Sequence, residues 1–192
     1  MRTVKAGQTS SLGFALLGLL QQTPSSGYDL RKVFSATAMT TYSDSPGAIY
    51  PALRRLQQQG LISGSVESGA GMRRRRIFRL TRRGLAELRK WITRPVDRSD
   101  VIRSLHEVML RFAYSEPAAG AAASIRLLAS LEKELRSYIP LLHRQMDSLD
   151  RATPASRRLA LESGIRGYES LLHWAMHARR TYRQSKRKVS AS

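Results

Sequence analysis

The chain has 192 residues, 42% of them hydrophobic, no cysteine, and a formal net charge of +19. That length supports one or two compact domains, and the lack of cysteine rules out disulfide staples, cysteine-held zinc and thiol chemistry. So large a positive charge calls for a polyanionic partner.

No apolar run reaches the ~18 residues of a membrane helix, and no charged leader with an apolar stretch opens the chain, so a soluble cytoplasmic protein with no membrane partner is expected. The charge is uneven: residues 1–98 carry 17 Lys and Arg against 5 Asp and Glu, and residues 99–192 carry 16 against 9. Six basic residues from Arg179 to Lys188 supply most of the second excess, which leaves the segment 99–178 almost neutral. One half is thus suited to phosphate and the other to protein.

In chain order, Ser10–Gln22 reads as a first helix, capped by Ser10 or Ser11 and apolar nearly all round. Thr23–Ser26 breaks it, and Tyr28, Leu30, Val33 and Phe34 mark a second helix to about Ala38. A polar turn follows. Ser45-Pro46 is an N-cap with proline at the first helical position, opening a third helix that runs to Gln59 with Gly60 behind it. Leu61–Glu67 and Arg73–Leu80 flank Ser68–Gly71 as a β-hairpin, or wing. Thr81 caps a fourth helix to about Ile92, and a linker continues to Ser99. The expected order is ααα-ββ-α over 1–98, a winged helix-turn-helix in a mainly α chain.

The rest reads as helix: Asp100–Tyr114, Pro117–Asp150 with a kink at Pro140, and Pro154–Gln184. In the last helix Leu161, Ile165, Tyr168 and Leu172 recur at alternating spacings of four and three, the seam of a coiled coil. Residues 99–185 are expected to form a dimerisation domain through those four residues, and 186–192 a disordered basic tail.

With Ile49 toward the core, 100° steps bring Ala52, Leu53 and Leu56 to the same side of the third helix and leave Gly47, Pro51, Arg54 and Gln58 opposite, flanked by Tyr50 and Arg55. Small residues near the start and arginine beyond suit entry into a major groove. Pro51 lies inside the helix and is expected to distort its first turn. The wing arginines Arg73, Arg74, Arg75 and Arg76 are candidates for phosphate or minor-groove contacts. His173 and His177 have a chelating spacing, but too few other ligands accompany them for a metal site. Tyr138, Tyr168, His173 and Trp174 are candidates for an effector pocket. The carboxylates are scattered and no phosphate-binding loop or hydrolase motif occurs, so neither an enzyme nor a cofactor is expected.

Leu16–Leu20, Gly27-Tyr28-Asp29-Leu30, Gly47–Leu53, Gly60-Leu61-Ile62 and Phe78–Gly84 together resemble the PadR family of bacterial transcriptional regulators. The C-terminal helices, with Gly164, Tyr168 and Trp174, resemble the longer branch that carries a helical virulence-activator-type dimerisation domain. The resemblance implies a homodimer on a pseudo-palindromic operator in double-stranded DNA, usually a repressor released by a small aromatic or hydrophobic effector. It also implies Tyr50 against the DNA backbone and a tolerated Pro51; Ser45, at the start of the same helix, is a further candidate for DNA contact. The competing reading is a basic RNA-binding or architectural protein that binds by charge alone.

Overall fold

The computed structural model describes residues 9–36, 45–68, 74–150 and 152–189. The chain divides into two compact units, residues 1–91 and 92–192. The division falls in the last turn of a helix, some residues ahead of the expected linker. Val96 is buried in the core of the second unit, which ties the linker to that unit.

In the first unit α1 (Ser11–Gln22) starts where the Ser10 hydroxyl accepts the Gly13 N–H at 3.2 Å. Ala15, Leu16 and Leu17 are fully buried, as an all-round apolar helix requires. A two-residue strand, β1 (Ser25–Ser26), precedes α2 (Gly27–Ala36). Ser26 and Asp29 cap α2 reciprocally: the Ser26 hydroxyl accepts the Asp29 N–H at 3.2 Å, and the Asp29 carboxylate accepts the Ser26 N–H at 3.3 Å. The expected last turn of this helix, 37–38, lies outside the described residues.

Helix α3 (Pro46–Gln58) is closed at its far end by Gly60 at φ +69°, where the Gly60 and Leu61 N–H groups return to Gln57 and Leu56. Strands β2 (Ile62–Ser68) and β3 (Arg74–Leu80) pair antiparallel with Gly64 opposite Phe78 and Val66 opposite Arg76. The expected hairpin is in fact a three-stranded sheet, because β1 adds to the free edge of β3 with Ser25 opposite Phe78. Helix α4 (Arg82–Thr93) follows, and its Trp91 stacks on Phe14 with ring centroids 4.3 Å apart.

The second unit departs from its expected helix boundaries. A short α5 (Arg98–Arg103) is separated from α6 (Leu105–Ala119) by Ser104 in a non-helical conformation. Asp97 caps α5 in a box with Asp100. Pro117 does not open the next helix. It sits in the final turn of α6, where its missing N–H forfeits one bond, and the stop comes at Gly120, whose φ of +78° resists a Cβ. Helix α7 (Ala121–Asp147) runs on through Pro140, and α8 (Ala155–Val189) packs along it. The backbone of α8 is helical into the expected tail; residues 190–192 lie outside the described residues.

Leu128, Leu131 and Leu135 are fully buried in this core. Arg111 is fully buried too, its guanidinium 3.6 Å from Asp100, and burial lowers its pKa to about 10.

Candidate nucleic-acid interface

Helix α3 turns two different faces outward and inward. Ile49, Ala52, Leu53 and Leu56 are at most 2% exposed and anchor it to α1 and α2. Gly47, Tyr50, Arg54, Arg55 and Gln58 are exposed on the other side, and Pro51 is half-buried. The Ser45 hydroxyl is occupied within the protein: it accepts the Gly47 N–H at 3.2 Å, so its first role is to start the helix. The Ser45 carbonyl is shared by the Ala48 and Ile49 N–H groups, a tightened first turn. Pro51 is tolerated because only one later bond, to the carbonyl of Gly47, is lost.

The wing arginines differ in their commitments. Arg73 lies outside the described residues. Arg74, Arg75 and Arg76 are exposed. The Arg76 guanidinium lies over the Phe78 ring, 5.6 Å from its centroid, and donates to Gln57 Oε1 at 2.9 Å, which joins the wing to α3. It fits there because residue 64 has no side chain: a Cβ on Gly64 would stand 3.0 Å from Arg76 Nε. Arg79 points elsewhere and is held by Glu67 at 2.6 Å, which keeps the Glu67 carboxyl below the usual carboxylate range.

Helix α2 supplies residues that the sequence reading assigned differently. Tyr28, read there as one of the apolar marks of that helix, is 59% exposed. It stands two residues before buried Leu30 and so falls on the opposite side of the helix. Its ring carries the Arg31 guanidinium at 5.8 Å. Tyr28, Tyr50, Leu53, Arg54, Gln57 and Phe78 surround a concavity of about 730 Å³, with Arg74, Arg75 and Arg76 also along its wall. The pairing of β1 with β3 was the missed signal, since it carries Ser26, Gly27 and Tyr28 to the base of the wing.

Residues 16–90 match the transcriptional regulator PadR-like family. Over these residues the chain is similar to that family. PadR of Bacillus subtilis strain 168, a negative transcriptional regulator, is 31% identical over 83 residues, 43% of this chain and 46% of that protein. The transcriptional regulator YqjI of Escherichia coli K12 is 40% identical over 58 residues, 30% of this chain and 28% of that one. The matches thus span less than half the length of these curated relatives. Among solved structures, Bacillus subtilis PadR in complex with operator DNA is similar over 90% of this chain and 99% of that chain, at 21% identity and a TM-score of 0.44.

Outside residues 16–90 the expected sites are arranged differently. Ile165, expected at a dimer seam, is 3% exposed within the single chain, and Tyr168 and Leu172 pack on the same core, with Leu161 half-buried. Tyr168 and Leu172 pack on the core to which α7 contributes, so this part of the heptad seam is used within the chain. The four effector candidates separate: Tyr138 meets Tyr168 edge to face at 5.2 Å, Trp174 meets Phe112 at 5.2 Å, and His173 is exposed. Burial, then the neighbouring Tyr138, raises the Tyr168 pKa. No group of three metal-ligating side chains stands together among the described residues, and no helix there is long and apolar enough to cross a membrane.

Proposed function

We propose that this chain is a sequence-specific DNA-binding repressor that grips a pseudo-palindromic operator as a homodimer and is released by a small aromatic or hydrophobic effector. The observation that carries the DNA reading is the shared concavity: the outward face of α3, with Tyr50 and Arg54, and the arginines of β3 border one surface. Helix α3 is sized and faced to enter a major groove while the wing reaches the flanking backbone. Repression is supported by the similarity to a negative transcriptional regulator.

A second copy needs a surface other than the α7–α8 seam. Leu159 is 60% exposed and Leu141 40% exposed, and Gly164 and Gly167 have open space around them on α8. We assign the dimer contact to this outer face of the helical hairpin. The effector is assigned to Tyr138, Tyr168, His173 and Trp174 of the helical unit, where Tyr138–Tyr168 and Trp174–Phe112 form two separate aromatic contacts.

Selection from random duplexes, followed by footprinting and sedimentation, tests this reading. The expected result is a dimer that protects a palindrome with half-sites about 34–36 Å apart, one turn of DNA. Equal affinity for selected duplex, random duplex and RNA would instead favour binding by charge alone.

A further inference from the structure

The positive charge of the helical unit is gathered at one end of one helix. Between Glu169 and residue 192 there is no Asp or Glu, and Arg179, Arg180, Arg183, Lys186, Arg187 and Lys188 all fall in that stretch. Helix α8 is continuous through them to Val189. With Arg183 as the reference direction, 100° steps put Arg179, Arg180, Lys186 and Arg187 within about 60° of it, on one side of the helix axis over a rise of about 12 Å.

Two ordinary uses of basic residues do not account for this stripe. The helix dipole favours cations at a C-terminus, but that effect fades within the last turn, and Arg179, Arg180 and Arg183 lie more than a turn ahead of Val189. Ion pairing takes up Arg179, which donates to the buried Glu132 carboxylate of α7 at 2.7 Å. Arg180 and Arg183 are exposed, and among the described residues no acid is paired with either. Helix α7 adds charge alongside: Lys133, next to Glu132, and Arg136, which reaches Met176 of α8 at 3.1 Å, are both exposed.

The setting narrows the partner. A basic helix that lies on a membrane needs an apolar face free to insert, and here Ala175, Ala178 and Tyr182 are used in the core of the unit. A protein partner would be held through apolar or aromatic anchors, but Thr181 and Gln184, the exposed residues among the arginines, are polar. Closely spaced cations without such anchors match a surface of closely spaced anions. Double-stranded DNA carries one negative charge per ~1.7 Å of its axis, and the guanidinium fork fits phosphate oxygens.

We propose that the basic side of α8, centred on Arg180, Arg183 and Arg187, is a second contact with double-stranded DNA that grips phosphates irrespective of sequence. The choice of DNA rests on the reading of α3 and the wing as a DNA interface. The helical unit then adds affinity and salt dependence, while base reading stays with α3.

The test is anisotropy titration of the full chain against a selected and a random duplex over a range of salt. The triple variant Arg180→Gln, Arg183→Gln, Arg187→Gln should bind both at least tenfold more weakly, with the salt slope reduced by about two to three ions. Its preference for selected over random duplex should stay within twofold of the parent's. The triple variant Arg180→Lys, Arg183→Lys, Arg187→Lys should keep most of the parent's affinity and slope, which separates lost charge from a damaged helix. Parent affinity and slope in the glutamine variant overturn the proposal. So does a loss confined to the selected duplex, which would make α8 a base reader, or a loss confined to RNA or to phosphatidylglycerol vesicles. A chain that yields no preferred duplex, yet weakens on random duplex in the glutamine variant, supports the α8 contact and overturns base reading by α3. A chain that discriminates and is indifferent to the variant does the reverse.

Discussion

Gly27 lies so close to the ring of Tyr50 that a Cβ at position 27 would sit 2.6 Å from Tyr50 Cε1. The first residue of α2 therefore sets where the exposed tyrosine of α3 rests. Alanine is otherwise the better helix former, so Gly27→Ala should leave thermal stability close to that of the parent. By displacing the ring it should lower affinity for a selected duplex at least tenfold, about 1.4 kcal/mol. Retained affinity in a mobility-shift titration would remove Tyr50 from the interface.

Arg54 and Arg75 should fail in different ways. Arg54, on the outward face of α3, is placed to read bases, so Arg54→Ala should weaken selected duplex by about 1–3 kcal/mol and random duplex much less. Arg75→Ala should weaken both and reduce the salt slope by about one ion. Equal losses on the two duplexes for Arg54→Ala would count against base readout.

Arg76 and Arg79 are three residues apart on one strand and have opposite commitments. Arg79→Ala breaks its pair with Glu67 and its hydrogen bond to Ser65, both on β2, and should leave duplex affinity within twofold. Arg76→Ala frees the wing from Gln57. A double-mutant cycle of Arg76→Ala with Gln57→Ala, read in duplex affinity, should give a coupling of about 0.5 kcal/mol or more. Strict additivity would mean that the contact positions nothing.

Two apolar positions of α8 separate assembly from folding. Leu159→Glu, at an exposed site, should shift sedimentation toward monomer while keeping the helical circular dichroism. Ile165→Glu places a charge in the α7–α8 core and should unfold the hairpin. A dimer that survives Leu159→Glu would put the contact elsewhere.

Asp97 gives α5 a pH-dependent start. The Asp100 N–H, more than the Arg94 guanidinium, holds its carboxyl below the usual carboxylate range. A carboxyl with a lowered folded pKa stabilises the fold above its unfolded value near pH 4, and that stabilisation is lost as pH falls through the folded pKa. Asp97→Ala should therefore cost about 1 kcal/mol at pH 7, the usual worth of a cap. The difference from the parent should shrink below pH 4 in urea unfolding. A constant difference across that range would deny the carboxylate this role.

Much of the first unit was legible because its signals are local. Ser45-Pro46 before α3, Gly60 behind it and Thr81 before α4 are start and stop residues whose effect needs no distant partner, and the 100° period correctly separated Leu53 from Arg54. Tyr28 was misread because β1 is only two residues long, Ser25–Ser26, and pairs with a strand some fifty positions away. The break at Ser104 has neither glycine nor proline to announce it. In α8 the period identified a buried stripe correctly but could not tell whether α7 of the same chain or a second copy covers it.

Thr81 ties four element ends to one point. Its N–H donates to the Leu61 carbonyl, its hydroxyl lies within hydrogen-bond distance of the Gly60 and Leu61 carbonyls, and that hydroxyl accepts the Gly84 N–H at 3.0 Å. Residue 84 must also lack a side chain, since a Cβ there would fall 2.0 Å from the Leu61 oxygen. The root of the wing and the exit of α3 consequently behave as a single joint. On the proposed DNA reading, a change of charge along β3 would alter the grip on a backbone without turning α3, so grip and base reading could be tuned separately by mutation.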